Sequence, residues 1–391
     1  MIDIVEEHFE ELDFLWELRE GVIFAPDWNL DELAELEERA EAHLDGLRLA
    51  ELHAVDVARP QLAGEHTSGA TAATFVLMET GDPELMAEVV TALEGADAPA
   101  RDGIRLGLRH SRIDAIESRL YELAASAAPP VRAAAADVLA FHRLAAPPLD
   151  ALLVDDLEQT RALAWGAHGR LARARQRAPL VAALADESPA VRRAALEAAA
   201  RCALANLSEI CRVAAREDAN SSAVEFLGVL GDRGDADYLR SLLSNDALSR
   251  ASVRALGALG DPATLPTLLE AAGRKELLAP AIRAVARITG VARLFEVADE
   301  DDPEQARTLL ETVTRREARR LDGQRCQSGR PLVPGASPSS LDALSLESRR
   351  DVYLGLRAGS SGILDVELEQ RIRRSGATRA APLLGNERGH G

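Results

Sequence analysis

The stretches VEFLGVLGDRGDADYLRSLL, at Val224–Leu243, and VRALGALGDPATLPTLLEAA, at Val253–Ala272, align without a gap. Each carries an apolar run into Leu-Gly near a helix end, breaks at Gly-Asp, and opens a second apolar run. Leu227 and Leu256 fill the same slot, 29 residues apart. Outward from this pair the slot recurs at Val285 and, toward the N-terminus, at Ala199, Trp165, Leu139, Leu106 and Leu77. In chain order the eight anchors are separated by 29, 33, 26, 34, 28, 29 and 29 residues. Self-similarity at such a period marks a repeat architecture. A unit of this length is two short helices and two turns, and one such hairpin cannot bury its apolar stripes alone. Stacked neighbours close the core between them, so the unit has to recur.

The turns fit the same scheme. At Gly81-Asp82-Pro83 and Gly260-Asp261-Pro262, glycine ends one helix in the left-handed conformation, aspartate caps the next, and proline suits its first turn. Pro130 and Pro189 precede helices in the same manner. Ala133 to Ala136 in one unit, and Ala194, Ala195, Ala198 and Ala199 in another, place small side chains where helices must approach closely. With aromatics at only 3% and strong helix formers dominant, the sequence predicts an all-α chain. Its repeats predict an α-solenoid of helical hairpins, clearest over residues 69–290.

Both ends depart from the repeat. Ile4, Phe9, Leu12, Leu15, Trp16 and Leu18 lie on one helical stripe, GVIFAPDW breaks it, and Asn29 caps a second helix with Glu32 as capping-box partner. Residues 1–65 hold 19 acidic residues against 4 arginines and read as an acidic hairpin cap on a solenoid at 66–325. The Pro/Gly/Ser-rich stretch 326–345 reads as a linker, 346–375 as two short C-terminal helices, and 376–391 as a disordered tail. Residues 313–391 reverse the charge balance, with 14 arginines and 9 acids. The cluster Arg315, Arg316, Arg319 and Arg320 closes a helix, where cations complement the helix dipole.

The formal charge of −19 argues against a nucleic-acid partner, which would require a basic stripe. Cys202, Cys211 and Cys326 lack metal-ligand spacing and fit small buried thiols in a reducing cytoplasm. No apolar run is long enough to span a membrane, and the acidic N-terminus is unlike a signal peptide. The eight histidines form no metal-binding pattern, and no phosphate loop, dinucleotide turn or nucleophile elbow occurs. The expectation is a non-enzymatic chain with no catalytic residue, metal or cofactor.

A stacked-hairpin protein offers an extended face lined by one helix of each unit. Two residues before each anchor stand Phe75, Ile104, Asp137, Leu163, Glu197, Glu225, Arg254 and Arg283. The polar members Asp137, Glu197, Glu225, Arg254 and Arg283 are the candidates for contact with a protein partner. Neighbours in the row fall roughly 10 Å apart by helix packing. A ladder of solvated ion pairs is the equal alternative. Trp28 is a further candidate anchor; its other reading is a local core with Trp16 and Phe24 under the APDW turn.

PAVRRAA (Pro189–Ala195) and LGALGD (Leu256–Asp261) resemble the short HEAT-like repeats first associated with phycobilisome lyases. IVEEHFEELDFLWELR (Ile4–Arg19), NLDELAELEERAEAHLDGLR (Asn29–Arg48) and GQRCQSGRPL (Gly323–Leu332) resemble a bacterial family of HEAT-repeat proteins, of no assigned activity, found among type VI secretion genes. The first resemblance implies the fold. The second implies an immunity protein or adaptor for a toxic effector, with the acidic end meeting a basic partner such as a nuclease toxin. A general scaffold is the alternative. A bilin-lyase-like enzyme is the third reading, for which Tyr121, Phe141 and Trp165 would have to line a groove.

Overall fold

The Gly-Asp-Pro turns are where the predicted punctuation is clearest. In the computed structural model Gly81 and Gly260 have φ of 69° and 70°, the left-handed region that glycine enters without a Cβ penalty. Asp82 accepts a hydrogen bond from the Glu84 backbone N–H at 2.8 Å, and Asp261 accepts from that of Ala263 at 3.1 Å. Pro83 and Pro262 occupy the first helical turn that follows. The structure describes residues 2–174, 176–217, 220–298, 302–321, 323–332 and 344–357, and over these the chain is all-α except for one two-stranded hairpin.

The chain divides into two compact units. The first comprises residues up to Ile23 together with Asp31–Ala174. Its helices are α1 (Ile2–Val22), α2 (Leu30–Ala50), α3 (Leu52–Ala58), α4 (Thr67–Glu79), α5 (Pro83–Gly95), α6 (Ala98–His110), α7 (Glu117–Ser126), α8 (Pro129–Phe141) and α9 (Glu158–Arg170). The anchors Leu77, Leu106, Leu139 and Trp165 each fall on one helix of the row α4, α6, α8, α9, and successive members of that row pack on one another. Helix α5 packs on α4 and α6, and α7 packs on α8. The acidic stretch contains α1 and α2, and α2 starts directly after Asn29. Arg19, 2% exposed, donates to Glu37 at 3.0 Å and lies over the Trp16 ring, which pins α1 to α2.

The second unit comprises Phe24–Leu30 and the described residues from 176 onward. It holds α10 (Arg177–Leu184), α11 (Pro189–Arg201), α12 (Leu207–Glu217), α13 (Ser221–Leu230), α14 (Ala236–Ser241), α15 (Ser249–Leu259), α16 (Leu265–Ala271), α17 (Leu278–Thr289), α18 (Arg293–Ala298), α19 (Pro303–Arg320) and α20 (Leu346–Arg357), with strands β1 (Cys326–Gln327) and β2 (Arg330–Pro331). Here Ala199, Leu227, Leu256 and Val285 fall on α11, α13, α15 and α17, again a row of neighbours. Seven of the eight anchors are buried; Leu106 is half-buried. Burying a leucine such as Leu227 or Leu256 stabilises by about 1.5–3 kcal/mol. The glycine after the anchor sets the spacing. A Cβ on Gly228 would lie 2.3 Å from the Ala255 carbonyl oxygen, and one on Gly257 would lie 2.9 Å from Ala284 Cα. Only glycine lets α13, α15 and α17 pack this closely.

Two expectations are revised. Trp16 packs against Phe75 at 4.4 Å inside the first unit, whereas Phe24 and Trp28 belong to the second, where Phe24 lies under Arg350. The stretch read as a linker opens with the β1–β2 hairpin, in which Cys326 pairs with Pro331 and Gln327 with Arg330. Residues 333–343, the second C-terminal stretch at 363–374 and the tail lie outside the described residues. Among the described residues no helix is long and apolar enough to cross a membrane. Cys202, Cys211 and Cys326 are buried free thiols, and burial pushes Cys211 up to about 12.

Candidate functional site

The slot two residues before each anchor changes character along the chain. Phe75 and Ile104 are buried, as is Asp137 at 0% exposure. Asp137 sits among three arginines: Arg105 and Arg109 reach its Oδ2 at 2.8 and 2.6 Å, and Arg170 reaches Oδ1 at 2.9 Å. Burial works to raise the Asp137 carboxyl, but Arg109, Arg170 and Arg105 together hold it below its ordinary range. A carboxylate enclosed in this way holds the first unit together and is not presented to a partner.

Of the later members of the row, Glu197 and Glu225 are half-buried and Arg254 and Arg283 are exposed. Glu197 on α11 pairs with Arg350 on α20. Glu225 on α13 accepts from Arg193 at 2.5 Å and from Arg254 at 3.0 Å. Arg254 on α15 keeps 57% of its side chain exposed, and Arg283 on α17 is exposed. Arg193, Glu225 and Arg254 thus form a three-membered ladder across α11, α13 and α15. Trp28 is half-buried, and its backbone carbonyl accepts from the Leu346 N–H at 2.7 Å, so the 24–30 segment braces the start of α20.

Glu225, Arg254 and Arg283 line one cleft of about 610 Å³ within the second unit. It is lined from α11, α13, α15 and α17, from α20, and by Phe24 and Pro26. Seven cationic side chains line it, namely Arg193, Arg250, Arg254, Lys275, Arg283, Arg287 and Arg350, against the four acids Glu225, Glu276, Glu347 and Asp351. Small side chains, Ala258, Ala279 and Ala284, contribute to its lining. Arg350 stacks over the exposed Phe24 ring at 4.5 Å.

Arg287, Glu347 and Asp351 of the lining belong to a polar hub that the sequence reading missed. Arg287, with 7% of its side chain exposed, meets Asp351 at 2.8 Å and Glu347 at 3.4 Å, and donates through Nε to Gln327 Oε1 at 2.8 Å. The same oxygen accepts from Ser348 Oγ at 3.0 Å, while the Gln327 amide nitrogen donates to the carbonyls of Gly257 and Ala258. Glu347 is recessed although a third of its side chain reaches open space. Burial, reinforced by Asp351 and opposed by Arg287, holds its carboxyl above the ordinary range.

The hairpin closes helix ends as well. Arg325 donates to the Leu259 and Gly231 carbonyls, Cys326 N–H to Gly260, Ser328 N–H to Arg287 and Gly329 N–H to Ile288. Carbonyls at the C-termini of α13, α15 and α17 have no partner within their own helices, and GQRCQSGRPL supplies one donor after another. The available signal was Ser328-Gly329, a dipeptide that marks tight turns; both residues have positive φ.

Other clusters are smaller. His8 Nδ1 and His43 Nδ1 lie 3.1 Å apart, brought together by α1 and α2 from distant sequence positions. Among the described residues no group of three or more His, Cys, Asp or Glu is placed to hold a metal ion. Phe141 and Trp165 are buried while Tyr121 is exposed, so these aromatics do not share an accessible wall. No protein-family model matches the chain, and no curated protein matches it.

Proposed function

We propose that this chain is a non-enzymatic α-solenoid of HEAT-like repeats that holds another protein. The observation carrying this reading is the open cleft along α13, α15 and α17, where equivalent positions of successive repeats present Glu225, Arg254 and Arg283 side by side. An acyl- or phosphoryl-transfer site gathers a nucleophile, a base and a stabiliser of developing charge around one point. The cleft gathers cations and carboxylates, several of them paired with one another, beside apolar residues. Such a surface recognises shape and charge along a length.

The resemblance to the type VI secretion-associated family makes a toxic effector the partner, and this chain its cytoplasmic immunity protein or adaptor. The acidic α1–α2 module then meets a basic surface of the effector and speeds encounter by charge complementarity. Co-expression with the effector of a neighbouring gene tests the reading. An immunity protein keeps the cells alive and co-purifies with the toxin in a salt-sensitive complex. An adaptor gives no protection but is required for export. Equal killing and equal export with and without the chain would contradict both.

A further inference from the structure

We propose that the cleft of the second unit is a docking site for an acidic segment of a partner protein, seated on α15 and α17 alongside α20. This deepens the binding reading above and rests on it. The charge balance is the first ground. A chain of net charge −19 lines this recess with seven cations and four acids. It therefore selects the opposite charge from the one the α1–α2 module selects.

The second ground is that the same row of helices already receives two carboxylates from one face of a helix. Glu347 and Asp351, one turn apart on α20, both reach Arg287 on α17, while α20 packs against α11 and α13. Arg254 and Arg283 continue the row beyond this contact and stand exposed, with Lys275 and Arg250 exposed at the same cleft. A second helix with carboxylates at i and i+4 meets these cations as α20 meets Arg287. Ala258, Ala279 and Ala284 contribute only methyl groups to the lining there.

The acids in the wall decide between kinds of polyanion. Duplex nucleic acid carries a charge about every 1.7 Å, and a backbone that dense is repelled by Glu225, Glu276 and Glu347. Carboxylates spaced by a helical turn fit between those acids. A protein segment is therefore favoured over nucleic acid.

The test uses the full-length chain and a fluorescent, helix-forming peptide of alanine and glutamate with Glu at i and i+4, followed by anisotropy. Saturable binding is expected, and it should be lost when salt rises from about 0.1 M to about 1 M, where the screening length falls from about 10 Å to about 3 Å. R254E/R283E should weaken binding about tenfold or more, and R254Q/R283Q by a smaller factor in the same direction, with circular dichroism unchanged. K275E, at an exposed position off the Glu225 ladder, should weaken it several-fold.

A lysine counterpart of the peptide and a single-stranded oligonucleotide should not bind. Undiminished peptide binding by folded R254E/R283E overturns the proposal, as does preferential binding of the oligonucleotide. Self-association of the chain through Arg254 and Arg283 without peptide binding also overturns it. If R254E/R283E still holds the effector as the parent chain does, the cleft assignment fails and the binding reading stands. If the parent chain holds no protein partner, the binding reading fails and takes the cleft assignment with it.

Discussion

Phe75, Ile104 and Asp137 in the first unit occupy the same repeat position as Glu225, Arg254 and Arg283 in the second, yet the first three are buried and the others reach the surface. The difference lies in what covers each row. In the first unit α1 packs on α4, with Trp16 packed against Phe75 at 4.4 Å and beside His110 at 5.3 Å. In the second, α20 packs on α11 and α13 and leaves Arg254 and Arg283 open. A covered position must be apolar or fully neutralised, which is why Asp137 has three arginines. An open position can carry a charge on the strength of a solvated ion pair. The repeat fixes where a side chain emerges, and the non-repeat helices decide whether it is seen.

The largest effect should come from removing the covered charge. Asp137→Ala leaves Arg105, Arg109 and Arg170 without their shared carboxylate, at a cost of about 3–5 kcal/mol. Glu225→Ala, at the equivalent half-buried position where the partners Arg193 and Arg254 stay solvated, should cost about 1 kcal/mol. Urea unfolding resolved by hydrogen exchange in each unit measures both. Similar losses would erase the contrast.

The two Gly-Asp-Pro turns offer a matched pair. Gly81→Ala meets open space and should cost only the left-handed backbone term, about 1–2 kcal/mol. A Cβ on Gly260 would lie 2.3 Å from the Cys326 carbonyl oxygen, so Gly260→Ala must also push the hairpin away. Its cost should be about twice that of Gly81→Ala, with faster amide exchange at Cys326 and Ser328. Equal costs would mean that the hairpin is not clamped to the end of α15.

Acid titration should separate the two carboxylates in sign. The Asp137 carboxyl lies below its ordinary 3.8 in the folded chain. Its contribution is therefore complete above that value and is lost as pH falls through the folded value. The deficit of Asp137→Asn relative to the parent chain should shrink as pH falls. Glu347 lies above its ordinary 4.5, so its contribution is present below 4.5 and lost as pH rises through the folded value. Glu347→Gln should gain on the parent as pH rises over that window. Parallel pH dependences in the two variants would refute the assignment. The smallest effect belongs to Arg254→Ala, which should change stability by no more than about 0.5 kcal/mol.

The helix contacts and turns of the second unit were legible because their markers are local. Leu227-Gly228 and Leu256-Gly257 state a helix contact, and Gly260-Asp261-Pro262 states a boundary, each within a few residues. The cleft was half legible. Counting back from the anchors found Glu225, Arg254 and Arg283, but the same count brought in Asp137, since nothing near it in sequence announces arginines 32, 28 and 33 residues away. The Gln327–Arg287–Asp351 hub was illegible for a related reason. It joins a hairpin, a repeat helix and a C-terminal helix, and no periodicity connects them. Arg193, Lys275 and Arg350 enter the cleft by the same kind of tertiary accident.

Thiol labelling compares the repeat position where it is covered, on α6, with the same position where it is open, on α17. The native Cys202, Cys211 and Cys326 are buried and give a low background. Ile104→Cys and Arg283→Cys place a thiol at the same repeat position in each unit. A maleimide reagent under native conditions should label the cysteine at 283 rapidly and leave that at 104 protected until the chain is unfolded. Labelling of both at similar rates would contradict the account.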